Sequence, residues 1–88
     1  MAHSRDRNDL IIRIAEIIIF ELKLKDITPE EFDPTLDLVD ELGVDSMDLA
    51  TVTLVLQDEY SITIDEDDYP KLRNINMIAE YIEQELSV

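Results

Sequence analysis

The residues with the clearest chemical content lie together in Asp40-Glu41-Leu42-Gly43-Val44-Asp45-Ser46-Met47-Asp48-Leu49. Gly43 is the only glycine in the chain, and it stands where a positive φ or a close approach by another group would exclude other residue types. Asp45 can cap a helix that begins at Ser46, with Asp48 three residues on in the reciprocal position of a capping box. The Ser46 hydroxyl then lies in the first turn, directed outward from a rigid helix end. Free amides and the positive end of the helix dipole favour an anion there, so a phosphodiester on Ser46 would sit in a favourable field. Taken alone, an Asp-Ser pair is simply a good helix start.

Other chemistry is sparse. The chain has no cysteine, which excludes a disulfide framework, a thiolate metal site and a cysteine nucleophile. Its one histidine, His3, stands in a polar N-terminal stretch without a partner for a catalytic dyad or zinc site. An enzyme reading therefore has no catalytic constellation to support it. Asp65-Glu66-Asp67-Asp68 suggests a calcium loop. Such a loop needs glycine at its sixth position and glutamate at its twelfth, where this sequence has Pro70 and Asn76, so the spacing fails.

The elements that must position Ser46 are helical. Ile11, Ile14, Ala15, Ile18 and Leu22 recur at spacings of three and four, and boundary signals place a helix over residues 6–24. A second helix, from Ser46 to Tyr60, has Leu49, Val52, Thr53, Leu56 and Tyr60 on one stripe. A third carries Ile75, Ile78, Ala79, Ile82 and Leu86, with Asn74 as its N-cap. Residues 25–45 form a long linker, in which Thr28-Pro29-Glu30-Glu31 predicts one short helical turn and Phe32, Leu36, Leu38 and Leu42 supply apolar anchors. Ile62 and Ile64 alternate with polar residues like a strand but have no partner strand, so this run reads as an extended loop. A short helix follows at residues 65–69, before Pro70. The expected fold is all-α: a small four-helix bundle of three long helices and one short one. Its core is Ile14, Ile18, Leu49, Val52, Leu56, Ile64, Ile78 and Ile82. Residues 1–8 are expected to be a flexible N-terminus and residues 9–86 the domain proper.

At 88 residues the chain has room for one small domain. Net charge is −15, and the surplus is uneven: residues 26–88 carry eighteen acidic and two basic side chains. This charge repels phosphate backbones and anionic membranes, so neither nucleic acid nor a membrane is an expected partner, and a basic docking patch is. The stretch Leu10 to Leu24 contains Arg13, Glu16, Glu21 and Lys23, too short and too charged to span a bilayer, and it lacks the pattern of a signal peptide. A cytoplasmic monomer is expected.

Glu-Leu-Gly-Val-Asp-Ser-Met-Asp at residues 41–48 resembles the Asp-Leu-Gly-x-Asp-Ser-Leu-Asp signature of acyl carrier proteins. The resemblance extends over residues 9–86, through Thr35-Leu36, Leu54-Val55-Leu56-Gln57-Asp58-Glu59-Tyr60, Ile64, Ile75 and Ile78-Ala79-Glu80-Tyr81-Ile82. It implies that a phosphopantetheinyl transferase attaches 4′-phosphopantetheine from coenzyme A to Ser46, with Asp45 helping to position metal and cofactor. It also implies that the distal thiol carries acyl groups as thioesters to acyl-transferring and synthase enzymes, in fatty acid, polyketide or related lipid synthesis. Chemistry supplied by a prosthetic group and by other enzymes agrees with the missing catalytic cluster.

Spacings of four, three and four put Met47, Thr51, Leu54 and Asp58 on one face of the second helix, apart from its core stripe. With Asp48 they form the expected docking face for basic partner patches. Thr51 stands where fatty-acid-synthesis members of the family usually carry an acid, and Gln57 where they often do. The competing reading is an unmodified acidic interaction module, which explains the charge but not why the only glycine precedes Asp-Ser at a helix start.

Overall fold

Apolar residues at helical spacing form three long helices in the computed structural model, which describes residues 7–86. These are α1 (Arg7–Leu22), α3 (Ser46–Tyr60) and α4 (Ile75–Leu86), with a short α2 (Leu38–Leu42) between the first two. Two 3-10 helices, Pro29–Glu31 and Glu66–Lys71, complete the order, and the described residues contain no strand. His3 and residues 1–6 of the expected flexible N-terminus lie outside the described residues, while Arg7 and Asn8 already belong to α1.

Helix α1 packs against both α3 and α4. All eight expected core residues are buried, and Leu10, Ile17, Phe32, Leu38, Val44 and Leu72 extend the core beyond the three stripes. Fully burying one such aliphatic side chain contributes about 1.5–3 kcal/mol, so this cluster is the main source of cohesion. Stripe ends are looser: Tyr60 is half-buried and Leu86 exposed.

The expected boundaries shift where the chain turns. Helix α1 stops at Leu22 rather than residue 24 because Lys23 adopts φ 56°, while Leu24 N–H returns to the Ile19 carbonyl at 3.0 Å. The second 3-10 helix runs through Pro70 to Lys71 instead of ending before it. Helix α2 is a further element within the linker. It starts at Asp37, whose carboxylate accepts from the Val39 and Asp40 N–H groups at 2.9 and 2.8 Å. With five residues, it is too short to show a helical period.

The linker is fastened to the start of α4. Leu38 N–H donates to the Arg73 carbonyl at 2.8 Å, and Asn76 N–H to the Pro34 carbonyl at 3.0 Å. The Arg73 guanidinium meets the Asp37 carboxylate at 2.8 Å. That carboxyl is held below its ordinary range, first by the Asp40 N–H and then by Arg73. At the predicted short turn, the Glu31 carboxylate accepts from Thr28 N–H at 3.2 Å. Asn74 caps α4 as expected, its side-chain oxygen accepting from Met77 N–H at 2.8 Å.

Candidate functional site

The junction between α2 and α3 is built by Gly43. It ends α2 at φ 70°, ψ 27°, its N–H bonding to the Val39 carbonyl at 3.0 Å while Val44 N–H reaches the Leu38 carbonyl at 3.1 Å. A Cβ at Gly43 would meet nothing within 4 Å. Of the two reasons for glycine here, the left-handed backbone is therefore the operative one. Val44 is buried next to it and anchors the turn, so Asp45 leaves the core extended, at φ −100°, ψ −178°.

Asp45 then caps α3. Its carboxylate accepts from Asp48 N–H at 2.9 Å, and Asp48 returns the bond to Asp45 N–H at 3.4 Å, closing the predicted box. Ser46 opens the helix and is exposed, with Met47 77% exposed beside it. Helix geometry leaves the Ser46 and Met47 amides without an intrahelical carbonyl. A phosphodiester on the Ser46 hydroxyl therefore fits in space and finds donors. Its electrostatic setting is mixed, because the carboxylates of Asp45 and Asp48 already face the positive end of the helix.

The structure places Met47, Thr51, Leu54 and Asp58 together on the outer side of α3, as the spacing predicts, all exposed and with Leu54 at 65%. The Thr51 hydroxyl donates back to the Met47 carbonyl at 3.2 Å. Asp48 is half-buried and occupied by the capping box. At the far end of α3, Arg13 of α1 donates two hydrogen bonds to Glu59, both 2.6 Å, and a third to Glu16 at 3.1 Å. The Arg13 guanidinium holds the Glu59 carboxyl below its usual range.

Thr53 is the one polar residue fully inside the described core; its hydroxyl meets the Ala50 carbonyl and the Tyr69 hydroxyl, each at 3.0 Å. The Tyr81 hydroxyl donates to Asp68 at 2.8 Å, so the second 3-10 helix is tied to α3 by one tyrosine and to α4 by the other. This bond lowers the Asp68 carboxyl, and burial followed by the same bond raises the Tyr81 phenol. In the Asp65–Asp68 run, Asp65 caps the turn by accepting from Asp67 N–H at 3.0 Å. Among the described residues no group of three or more acidic or histidine side chains is placed to hold a metal ion. No helix among them is long and apolar enough to cross a membrane.

Sequence reading missed Phe20, which is 77% exposed on α1. The signal was present, since Phe20 falls off the Ile11-Ile14-Ile18-Leu22 stripe and must face away from the core.

Comparison with known proteins converges on one family. A family model described as a phosphopantetheine attachment site matches residues 13–82. The chain is 34% identical over 70 residues to an acyl carrier protein of Syntrophus aciditrophicus, covering 80% of this chain and 84% of that one. Against an acyl carrier protein of Brachyspira hyodysenteriae it is 32% identical over 75 residues, covering 85% and 94%. A solution structure described as that of an acyl carrier protein from Anaplasma phagocytophilum superposes with a TM-score of 0.77 at 25% identity, covering 94% of each chain.

Proposed function

The chain belongs to the phosphopantetheine-attachment family of acyl carrier proteins, and from that premise we propose that Ser46 is the residue to which its 4′-phosphopantetheine is joined. One observation supports this choice above others: Ser46 is an exposed hydroxyl on the first residue of a helix whose start is fixed by Gly43 and by the Asp45–Asp48 box. In the transfer, a bond forms between the Ser46 oxygen and the pantetheine-side phosphorus of coenzyme A, and the pyrophosphate P–O bond breaks. The adenosine 3′,5′-bisphosphate leaves, and the serine proton passes to a base of the transferase. Once bound, the arm supplies a thiol that carries acyl groups as thioesters.

The chain's own part is positional. The Asp45 cap holds the first turn so that the hydroxyl is presented at a fixed point, and the Ser46 and Met47 amides offer hydrogen bonds to the phosphodiester. Asp45 and Asp48 oppose that added negative charge. Asp45 would help to hold a divalent cation brought with coenzyme A, and that charge would offset the two carboxylates during transfer.

Partners in this reading are the phosphopantetheinyl transferase and the acyl-transferring and synthase enzymes. They dock basic patches on Met47, Asp48, Thr51, Leu54 and Asp58. The protein works as a cytoplasmic monomer, is not itself an enzyme, and engages neither nucleic acid nor the membrane interior. Incubation with coenzyme A and a broad-specificity phosphopantetheinyl transferase, followed by intact-mass analysis, tests the assignment. One added phosphopantetheine is expected on the wild type and none on Ser46→Ala. An increment that persists in Ser46→Ala overturns the assignment, and no increment on either favours the unmodified acidic module.

A further inference from the structure

Phe20 is as exposed as Met47, whereas the other phenylalanine, Phe32, is only 3% exposed. Phe20 stands as a ridge between two grooves with apolar floors. One, of about 590 Å³, lies between α1 and the segment after it and is floored by Ile19, Leu24 and Pro29. The other, of about 460 Å³, lies between α1 and α3 and is floored by Ile17 and Val55. Glu16 and Glu21 border both. Val55 lies one turn beyond the exposed Thr51 on the same side of α3, so the groove beside Phe20 borders the outer face of that helix. An aromatic ridge beside pockets that can seat a partner's side chains has the form of a binding hot spot.

Charge selects the occupant. Arg13, the one cation at the groove between α1 and α3, is already engaged by Glu59 and Glu16. Lys23 borders the other groove alone. Glu16, Glu21 and the Glu59 that pairs with Arg13 outnumber Arg13 and Lys23, which leaves a negative surplus at the two grooves. A net charge of −15 opposes a second copy of this chain and any anionic surface. We infer that the docking face of α3 continues onto α1. The extension receives a partner enzyme segment that presents aliphatic or aromatic side chains framed by lysine or arginine, with Phe20 as its apolar anchor. The inference rests on the carrier reading above and adds to it a contact outside α3.

The test uses the full chain and a synthetic helical peptide of leucine and lysine, with its leucines on one face, titrated into the isotope-labelled protein. Amide signals of Phe20, Leu24 and Val55 should shift together with those of Met47 and Leu54. Phe20→Ser, which alters neither charge nor core, should weaken the peptide by about ten-fold, in the range of an interface anchor. No binding, shifts confined to α3, or an affinity unmoved by Phe20→Ser overturns the inference. So does a concentration-dependent dimer abolished by Phe20→Ser, which would assign the surface to a second copy. Loading of Ser46 in the same Phe20→Ser preparation separates the two ideas: normal loading with unchanged peptide affinity defeats the α1 contact alone, and failure to load in the wild type defeats the carrier reading.

Discussion

The two ends of α3 both carry acids, in opposite electrostatic settings. At the N-terminus Asp45 and Asp48 face the positive end of the helix dipole and are bonded to each other's backbone N–H. At the C-terminus Asp58 and Glu59 meet the negative end, and the last turn contains no basic residue. Glu59 is relieved from outside by Arg13, but Asp58 forms no ion pair with any described residue. The chain also turns differently at the helix ends: α2 uses Gly43 at φ 70°, whereas α3 ends on Ser61 at φ 56° with a side chain that dislikes that region. Folding therefore accounts for the acids at the Ser46 end, while Asp58 has a cost and no ion pair among the described residues to offset it. Its place on the outer face, one turn beyond Leu54, makes it available to the basic partner proposed above.

Removing the cap should have the largest effect on stability. Asp45→Ala removes the carboxylate that accepts from Asp48 N–H, and a loss of about 1–2 kcal/mol is expected. In a domain of this size that corresponds to a drop of about 4–16 °C in the thermal midpoint. A midpoint within a degree of wild type would show that the helix start does not depend on Asp45.

Arg13→Ala comes next, with a loss of about 1 kcal/mol, because the pair is two-pronged but partly exposed. Its pH dependence identifies the cause. Glu59 has its carboxyl lowered from the ordinary 4.5, so the pair's contribution is complete above that pH and disappears as the pH falls through the lowered value. Melting curves of wild type and variant should differ at neutral pH and converge in acid. A gap that stays constant with pH would assign the Arg13 effect to packing.

Asp58→Asn should have the smallest effect on the fold and the opposite sign, raising the midpoint by about 2 °C as the clash with the helix dipole is relieved. The same change should weaken a basic partner, most strongly at low salt. A partner affinity indifferent to Asp58→Asn would remove this residue from recognition.

What the sequence discloses follows from range. The three long helices are legible because their stripes repeat at helical spacing over twelve or more residues, and Ile14, Val52 and Ile78 fall inside as the period demands. The start of α3 is legible because a cap, its reciprocal acid and the one glycine lie within six residues. Helix α2 is less than two turns long, and Leu38 could be read only as a loop anchor. The Arg13–Glu59 pair joins residues 46 apart, which no local pattern encodes. Leu72 is buried although nothing in its neighbourhood repeats, so no periodic pattern marks it.

The central claim is that the fold presents one hydroxyl, that of Ser46, for attachment. Proteolysis of the loaded protein followed by tandem mass spectrometry tests it most directly. The account predicts the phosphopantetheine on the peptide that contains Ser46 and on no other, with fragment ions placing it on that serine. Finding it on Thr51, Ser61 or any other residue would contradict the account.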